Sequence, residues 1–499
     1  MPVFHPFLIA VIPILHILAS STGEASFNDT VLPMLISLGF VLVCFVILRL
    51  VLKNSDAAGL IVSLFLVLFF SFGHFTGLVK ATPLIGTALW LPIFGGILVA
   101  GVFLIVRYKD RLRNLTNIIN VVVAVLMALT LVNLLTSEAR RDVPIKADEV
   151  RRAAESKTAA STDRSELPDI YYIILDAYAS EGTLRGFYGY DNSDFIRWLE
   201  ERGFYVAPDS HSNYSQTYMS LASSLNLKYV NYLSEELGDR SPSRRPLRRM
   251  IEDNSLMRFL KAKGYGFTFF GSGWAGTLSN RYADISYTQE TWLNNEFMIA
   301  LLRTTALRDF VSNRELFTRE GALETFSRLP RIRREVKGPL FVFAHIIPPH
   351  RPFLFDRNGG PQKAGGNVNA WSSRELYIEQ LMFVNKKAEE MIDGILTASE
   401  RPPIIVVQTD HGPLAEGTAA WLEKPGREDA ELRMGILNSY HIPGGNDSLY
   451  RSITPVNSFR LVLNHVFGTG FELLEDRCYF SSYKTPYSFE DVTGMLGSH

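Results

Sequence analysis

Apolar residues dominate the first 136 positions of the chain and then give way to mixed sequence. A membrane-crossing helix needs about 20 such residues, because a rise of ~1.5 Å per residue must cover a hydrocarbon core of ~30 Å. Five segments fit: 4–20 ("FHPFLIAVIPILHILAS"), 32–52, 58–79, 85–106 and 116–136. No Lys or Arg precedes the first and four more follow it, which argues against a cleaved signal peptide. His5 and His16 read as interfacial or helix-contact residues rather than proton or metal ligands. "RYKDRLRN" carries four basic residues and "STGEASFNDT" none, so the positive-inside rule puts the 107–113 loop in the cytoplasm. Five spans then leave the N-terminus inside and everything after residue 137 on the extracytoplasmic or periplasmic side. The run "EARR" after the fifth segment opposes this assignment, but it is the smaller cluster.

From 137 to 168 the chain is polar, mixed in charge and poor in large apolar residues. It reads as a tether, with "ADEVRRAAES" capable of a helix. Beyond it, short apolar runs recur at 170–176, 265–271, 339–346, 403–410 and 432–438, bounded by Gly, Pro or Asp. Runs apolar on both faces are the mark of buried, mainly parallel strands. "NSDFIRWLEERG" (192–203) and "SRELYIEQLMFVNKKAEEMIDGIL" (373–396) have the period of crossover helices, and 286–336 reads as a mostly helical insertion or cover. The expected fold class is a multi-pass α-helical membrane domain of five spans (1–136), followed by the tether and an α/β domain with a mainly parallel central sheet (169–499).

Composition changes this picture little. The 499 residues suit more than one unit, and a net charge of -1 lacks the basic face that nucleic-acid binding needs. The only cysteines, Cys44 and Cys478, form no disulfide framework, since Cys44 lies in an apolar run.

The chemistry gathers at strand ends. Asp176, His345 and the pair Asp410–His411 each stand at or near the C-terminal end of an apolar run, the edge where open α/β sheets bind ligands. An Asp in such a position is ordinarily a turn or helix cap, but three ends bearing Asp and His form a ligand set. Oxygen and nitrogen donors in this mixture suit Zn²⁺ or Mn²⁺ better than Ca²⁺. The glycine of "TDHGP" permits a tight turn that aims both side chains inward.

"IILDAY", the hydroxyl-rich "SNYSQTYMSLASS" (212–224), "HIIPPHRPF" and "VVQTDHG" follow one another in the order and approximate spacing of the alkaline phosphatase superfamily. The chain most resembles the sulfatase-like membrane branch of that superfamily, which includes lipoteichoic acid synthases and phosphoethanolamine transferases. The resemblance covers roughly 168–470, with "SITPVNSFRLVLNHVFG" near its end, and implies an alkaline-phosphatase-like outer domain. It implies Thr217, at a helix N-terminus, as nucleophile and metal ligand beside Asp176, Asp410 and His411. Ser215 and Ser220 are rivals for that role, and a plain helix cap is the bland alternative. His350 is implied near the leaving group, stiffened by two prolines, and His345 near the phosphoryl oxygens. His345 reads equally as a backbone-bonded strand end, and Arg351 as an anion binder or an ordinary surface arginine. His441, in "NSYHIPGG", reads as a strand-to-turn transition.

The resemblance implies one tightly held divalent metal, Mn²⁺ or Zn²⁺, with Mg²⁺ as a third option. It implies a phosphotransferase that moves phosphoglycerol or phosphoethanolamine from a phospholipid donor to an envelope glycan or lipid acceptor at the bilayer. Two alternatives stay open: a hydrolase or phosphodiesterase on the same site, and an inactive lipid-binding regulator. Ordinary sulfatase chemistry is disfavoured. The decoy "RSPSR" (240–244) has Arg240 where a modifiable Cys or Ser would stand, and Asp176 is followed by Ala177 rather than a second Asp.

Overall fold

The computed structural model describes residues 2–20, 27–76, 83–139, 149–155, 167–288, 296–308, 319–362, 373–414 and 424–497. The chain divides into two compact units, Met1–Asp142 with Thr291–Leu316, and Val143–Glu290 with Phe317–His499.

The first unit is built on α1 (His5–Ser20), α2 (Phe27–Leu52), α3 (Ser55–Thr76), α4 (Pro83–Arg107) and α5 (Arg113–Ala139). Four of these, α2 to α5, are long and apolar enough to cross a membrane. The expected first span is shorter: α1 has 16 residues, or ~24 Å at ~1.5 Å each, less than a ~30 Å hydrocarbon core. Its apolar residues Ala10, Ile14 and Leu18 are buried in a core with Val41, Val62 and Leu66. His5 is a helix contact, with Nδ1 2.6 Å from Ser63 Oγ and its backbone N–H donated to Asn120 Oδ1 at 3.1 Å.

One further helix of this unit comes from far along the chain. Glu296–Thr304, in the stretch expected to be an insertion or cover, sets Phe297, Met298 and Leu301 into the same core. Gly73 makes room for it, because a Cβ there would lie 2.0 Å from Arg303 O. Of the tether, Glu149–Glu155 is helical, while 140–148 and 156–166 lie outside the described residues, as do 289–295 and 309–318 of the insertion.

The second unit is an α/β domain around a seven-stranded sheet of order β2-β7-β6-β1-β5-β3-β4. The strands are β1 (Ile170–Leu175), β2 (Tyr205–Val206), β3 (Gly266–Phe270), β4 (Ile285–Tyr287), β5 (Leu340–Ile346), β6 (Ile404–Gln408) and β7 (Asn438–His441). β1 pairs in parallel with β5 and β6, β3 in parallel with β5 and β4, and β7 alone is reversed, antiparallel to both of its neighbours, β6 and β2. The continuous apolar run of β1 follows from covering on both faces. Ile170, Tyr172 and Ile174 enter one core, Tyr171, Ile173 and Leu175 the other.

The expected helices appear as Ser193–Glu201 and Arg374–Ala398. The run 432–438 is not a strand: it spans the end of a helix, Arg427–Met434, and a connection that reaches β7 only at Asn438. Gly426 and Asp429 cap the start of that helix, with the Gly426 N–H donated to Asp429 Oδ2 at 3.1 Å, and Gly435 ends it. Local capping overrides the apolar run.

Candidate metal centre

β1, β5 and β6 are parallel neighbours, so their C-terminal ends share one edge of the sheet. Asp176 follows β1 and continues its ladder, the backbone N–H donating to Ile346 O at 2.9 Å. His345 lies in β5 opposite Ile174. Past β6, the Thr409 N–H donates to Leu437 O at 3.0 Å and brings Asp410 and His411 to the same edge. Gly412 is needed for room rather than for a special turn. A Cβ there would stand 2.2 Å from Leu432 O and 3.0 Å from Gly435 O, so this loop lies flat against the end of the Arg427–Met434 helix.

Thr217 opens the helix Thr217–Asn226, and its Oγ1 is 3.0 Å from His411 Nε2. The rival hydroxyls are committed elsewhere. Ser215 Oγ donates to Ser481 O at 3.1 Å and accepts from Ser481 N, while Ser220 Oγ donates to Tyr214 O at 2.9 Å. His411 Nδ1 faces Gly412 O at 3.0 Å. A carbonyl only accepts, so Nδ1 carries the hydrogen and Nε2 presents a bare lone pair. That lone pair is 3.3 Å from Asp410 Oδ2 and 3.8 Å from Asp176 Oδ1.

Three observations fit a divalent cation here. Asp176 Oδ1 and Asp410 Oδ2 are buried with no hydrogen-bond partner, as a ligand oxygen awaiting a cation would be. A tetrahedral ion with bonds of ~2.0–2.1 Å has donor–donor edges of about 3.4 Å. The three edges that meet at His411 Nε2, 3.0, 3.3 and 3.8 Å, straddle that value. Finally, the histidines are held neutral, the form that ligates. Burial pushes His345 down to about 4 and His411 well below the ordinary imidazole range, and the nearby Arg433 cation acts on His411 in the same direction. Burial raises Asp176 to about 7. It does the same to Asp410, where the negative charge of Asp176 adds to the effect.

His345 also belongs to the cluster, with Asp176 and Asp410. Its Nε2 is 3.3 Å from Asp176 Oδ2, the oxygen of that carboxylate turned away from His411. His350 and Arg351 lie at the mouth. Together with Ala177, Tyr188, Phe353 and Tyr377 they line a small cleft open to solvent. The His350 Nδ1–H donates to Arg351 O, which leaves its Nε2 bare, and its ring centroid is 6.0 Å from that of His411. Desolvation first, then the Arg351 cation, keeps the His350 imidazole neutral. Arg351 is half-buried rather than an ordinary surface arginine. The His441 ring, at the end of β7, donates its Nδ1–H to Pro403 O at 2.8 Å and stays out of the cluster.

Sequence reasoning missed Arg433. Buried at 3% exposure, it donates Nε–H to Ser215 O and Nη1–H to Gly412 O, both at 2.7 Å. One guanidinium thus ties the strand of chain before Thr217 to the loop that carries His411. An arginine inside the apolar run "LRMGIL" was the available signal. Ser272 and Thr277, behind His345, left none in "GSGWAGTLSN".

No protein-family model and no curated protein matches the chain. Among solved structures it is similar to the zinc complex of the C-terminal periplasmic domain of EcEptC from Escherichia coli. That match has 13% identity and a TM-score of 0.46, over 68% of this chain and 98% of that one. It is similar to the integral membrane lipooligosaccharide phosphoethanolamine transferase A of Neisseria meningitidis at 11% identity and TM-score 0.43, over 93% and 94% of the two chains. The phosphonate monoester hydrolase of Agrobacterium radiobacter is a further neighbour, at 12% identity and TM-score 0.38, over 63% and 80%.

Proposed function

We propose that this chain is a membrane-anchored, metal-dependent phosphotransferase with Thr217 as its nucleophile. The observation that carries the reading is the meeting of Thr217 Oγ1, bare His411 Nε2 and the two unpartnered carboxylate oxygens of Asp176 and Asp410 beside an open cleft. Apolar helices in the same chain suit a donor that never leaves the bilayer.

Asp176, Asp410, His411 and Thr217 would hold one divalent cation, Zn²⁺ or Mn²⁺. When bound it supplies Lewis-acid chemistry, acidifying a hydroxyl and offsetting phosphoryl charge. Thr217 Oγ1 attacks phosphorus of a phospholipid headgroup, phosphoglycerol or phosphoethanolamine. The Oγ1–P bond forms, the bond from phosphorus to the diacylglycerol oxygen breaks, the proton that Thr217 gives up goes to that departing oxygen, and a headgroup-phosphothreonine remains. The helix N-terminus at Thr217 offers partial positive charge to the phosphoryl oxygens. His350, with Nε2 bare, takes the proton of an acceptor hydroxyl as that oxygen bonds to phosphorus and Thr217 is released. Arg351, in the cleft wall, binds the anionic part of the substrate. The acceptor is a glycan or lipid of the envelope. In this reading the second unit lies on the extracytoplasmic or periplasmic side of the cytoplasmic membrane, with the N-terminus inside.

Incubating the full chain, loaded with Zn²⁺, in vesicles of phosphatidylethanolamine and phosphatidylglycerol tests this by intact mass. The expected result is a headgroup-phosphate adduct mapped to Thr217 and absent from Thr217→Ala. Free headgroup phosphate without acceptor would point to hydrolysis on the same site. A wild-type chain that binds no metal and forms no adduct would sink the proposal.

A further inference from the structure

The histidines of this site all present Nε2 and differ in whether that nitrogen carries the hydrogen, and for His345 the choice is made outside the site. Behind the ring, Thr277 Oγ1 is 2.7 Å from His345 Nδ1, and Ser272 Oγ is 2.7 Å from Thr277 Oγ1. The Trp274 backbone N–H meets Ser272 Oγ at 3.1 Å. All of this lies in a tight return after β3. The Ser272 N–H donates to Thr277 O at 3.1 Å, and Gly271 permits the fold-back, since a Cβ there would be 2.6 Å from Leu278 O.

The direction of this chain is fixed at both ends. A backbone N–H can only donate, so Ser272 Oγ accepts from Trp274 and sends its own hydrogen to Thr277. Thr277 then sends its hydrogen to His345 Nδ1, which must be the bare nitrogen. At the far end, His345 Nε2 faces the carboxylate oxygen Asp176 Oδ2, which can only accept when ionised. Reversing the chain would strand the hydrogen of Ser272, which is buried. It would also set a bare Nε2 against Asp176 Oδ2, lone pair to lone pair.

We infer that Ser272 and Thr277 are positioning residues that lock His345 in its Nε2–H tautomer, so that its one N–H is donated to Asp176 or, with substrate bound, to a phosphoryl oxygen, and the ring does not ligate the metal. His411, whose Nδ1–H is held by Gly412 O, has the opposite tautomer and is the ligating histidine. Distance alone groups His345 with Asp176 and Asp410 as a ligand set; hydrogen-bond polarity removes it. The inference rests on the metal-dependent phosphotransferase reading and adds residues that reading does not use.

The test uses the full chain in detergent, with Zn²⁺ alone and then inorganic phosphate as probes. In Thr277→Val, Zn²⁺ affinity is expected within about twofold of wild type, while phosphate affinity of the zinc-loaded protein falls about tenfold. Thr277→Ser, which keeps the hydroxyl, retains both. Nitrogen-15 spectra of labelled histidines in the wild type place the His345 hydrogen on Nε2, a readout that needs no variant to fold. A Zn²⁺ affinity lowered tenfold or more in Thr277→Val would mean that His345 ligates and Thr277 braces it, overturning the inference. So would an unchanged phosphate affinity, or a wild-type hydrogen on Nδ1. A wild type that binds no Zn²⁺ would instead overturn the phosphotransferase reading, and the imidazole spectrum would still decide the tautomer.

Discussion

Asp410→Asn should stabilise the metal-free protein while abolishing metal binding. In the metal-free fold, burial raises Asp410 and Asp176 from 3.8 to about 7 each. The folded state therefore holds these protons more tightly than the unfolded chain does. The associated stability is fully present below pH ~3.8 and is lost as pH rises through ~7. A rise of about three units at ~1.4 kcal/mol per unit makes that loss ~4 kcal/mol for one carboxylate. An amide at 410 stays neutral at every pH and so carries none of this loss.

The assay is thermal unfolding of the full chain in detergent with chelator, from pH 4 to pH 8. At pH 8 the variant is expected to unfold roughly 6 °C above wild type, the gap shrinking toward pH 4. Adding Zn²⁺ at about 100 times its dissociation constant stabilises wild type by ~2.7 kcal/mol and leaves the variant unmoved. A variant that unfolds below wild type at pH 8 with chelator present would refute the reasoning.

Arg433→Met strips the guanidinium from Ser215 O and Gly412 O and should cost ~3–5 kcal/mol by urea unfolding. Arg433→Lys keeps the charge but loses the fork, and should cost about half of that. Gly412→Ala drives a Cβ toward Leu432 O, shifting the His411 loop, and calorimetry should find Zn²⁺ affinity lowered by at least about tenfold. Ser220→Ala removes one neutral hydroxyl bond to backbone and Ser215→Ala removes two. Denaturation should find ~1 kcal/mol lost in the first and ~2 kcal/mol in the second, with the lipid-derived adduct at Thr217 intact.

The parts of this architecture that were legible in the sequence are those in which local pattern and global packing ask for the same residues. β1, β5 and β6 are apolar on both faces because both faces are covered, and a polar residue at such a strand end has only the ligand edge to occupy. The run 432–438 misled because burial makes a helix end and a strand equally apolar, and only the Gly426–Asp429 cap distinguishes them. The helix Glu296–Thr304 has apolar residues whose partners, Ala10 and Leu66 among them, lie hundreds of positions away, so periodicity revealed the helix without revealing its core. Arg433, Ser272 and Thr277 act through backbone carbonyls, a backbone N–H and a tautomer, none of which leaves a spacing to read.

Arg433, the one charged residue of these three, enters the charge balance of the site. Asp176 and Asp410 bring two negative charges into a buried place, against which Arg433 supplies one positive charge and the neutral histidines none. Without a cation, burial first, and for Asp410 the Asp176 charge as well, makes the carboxylates hold protons in the metal-free fold. A divalent cation overshoots that balance by one positive charge, and an ionised Thr217 supplies the one negative charge that closes it. Replacing Arg433 by a neutral residue would make the cation-bound site electroneutral already, removing the electrostatic reason for Thr217 to lose its proton. In the proposed reaction Arg433 thus bears on Thr217 in two ways, by fixing the chain beside it and by making its ionised form the neutral state of the cation-bound centre.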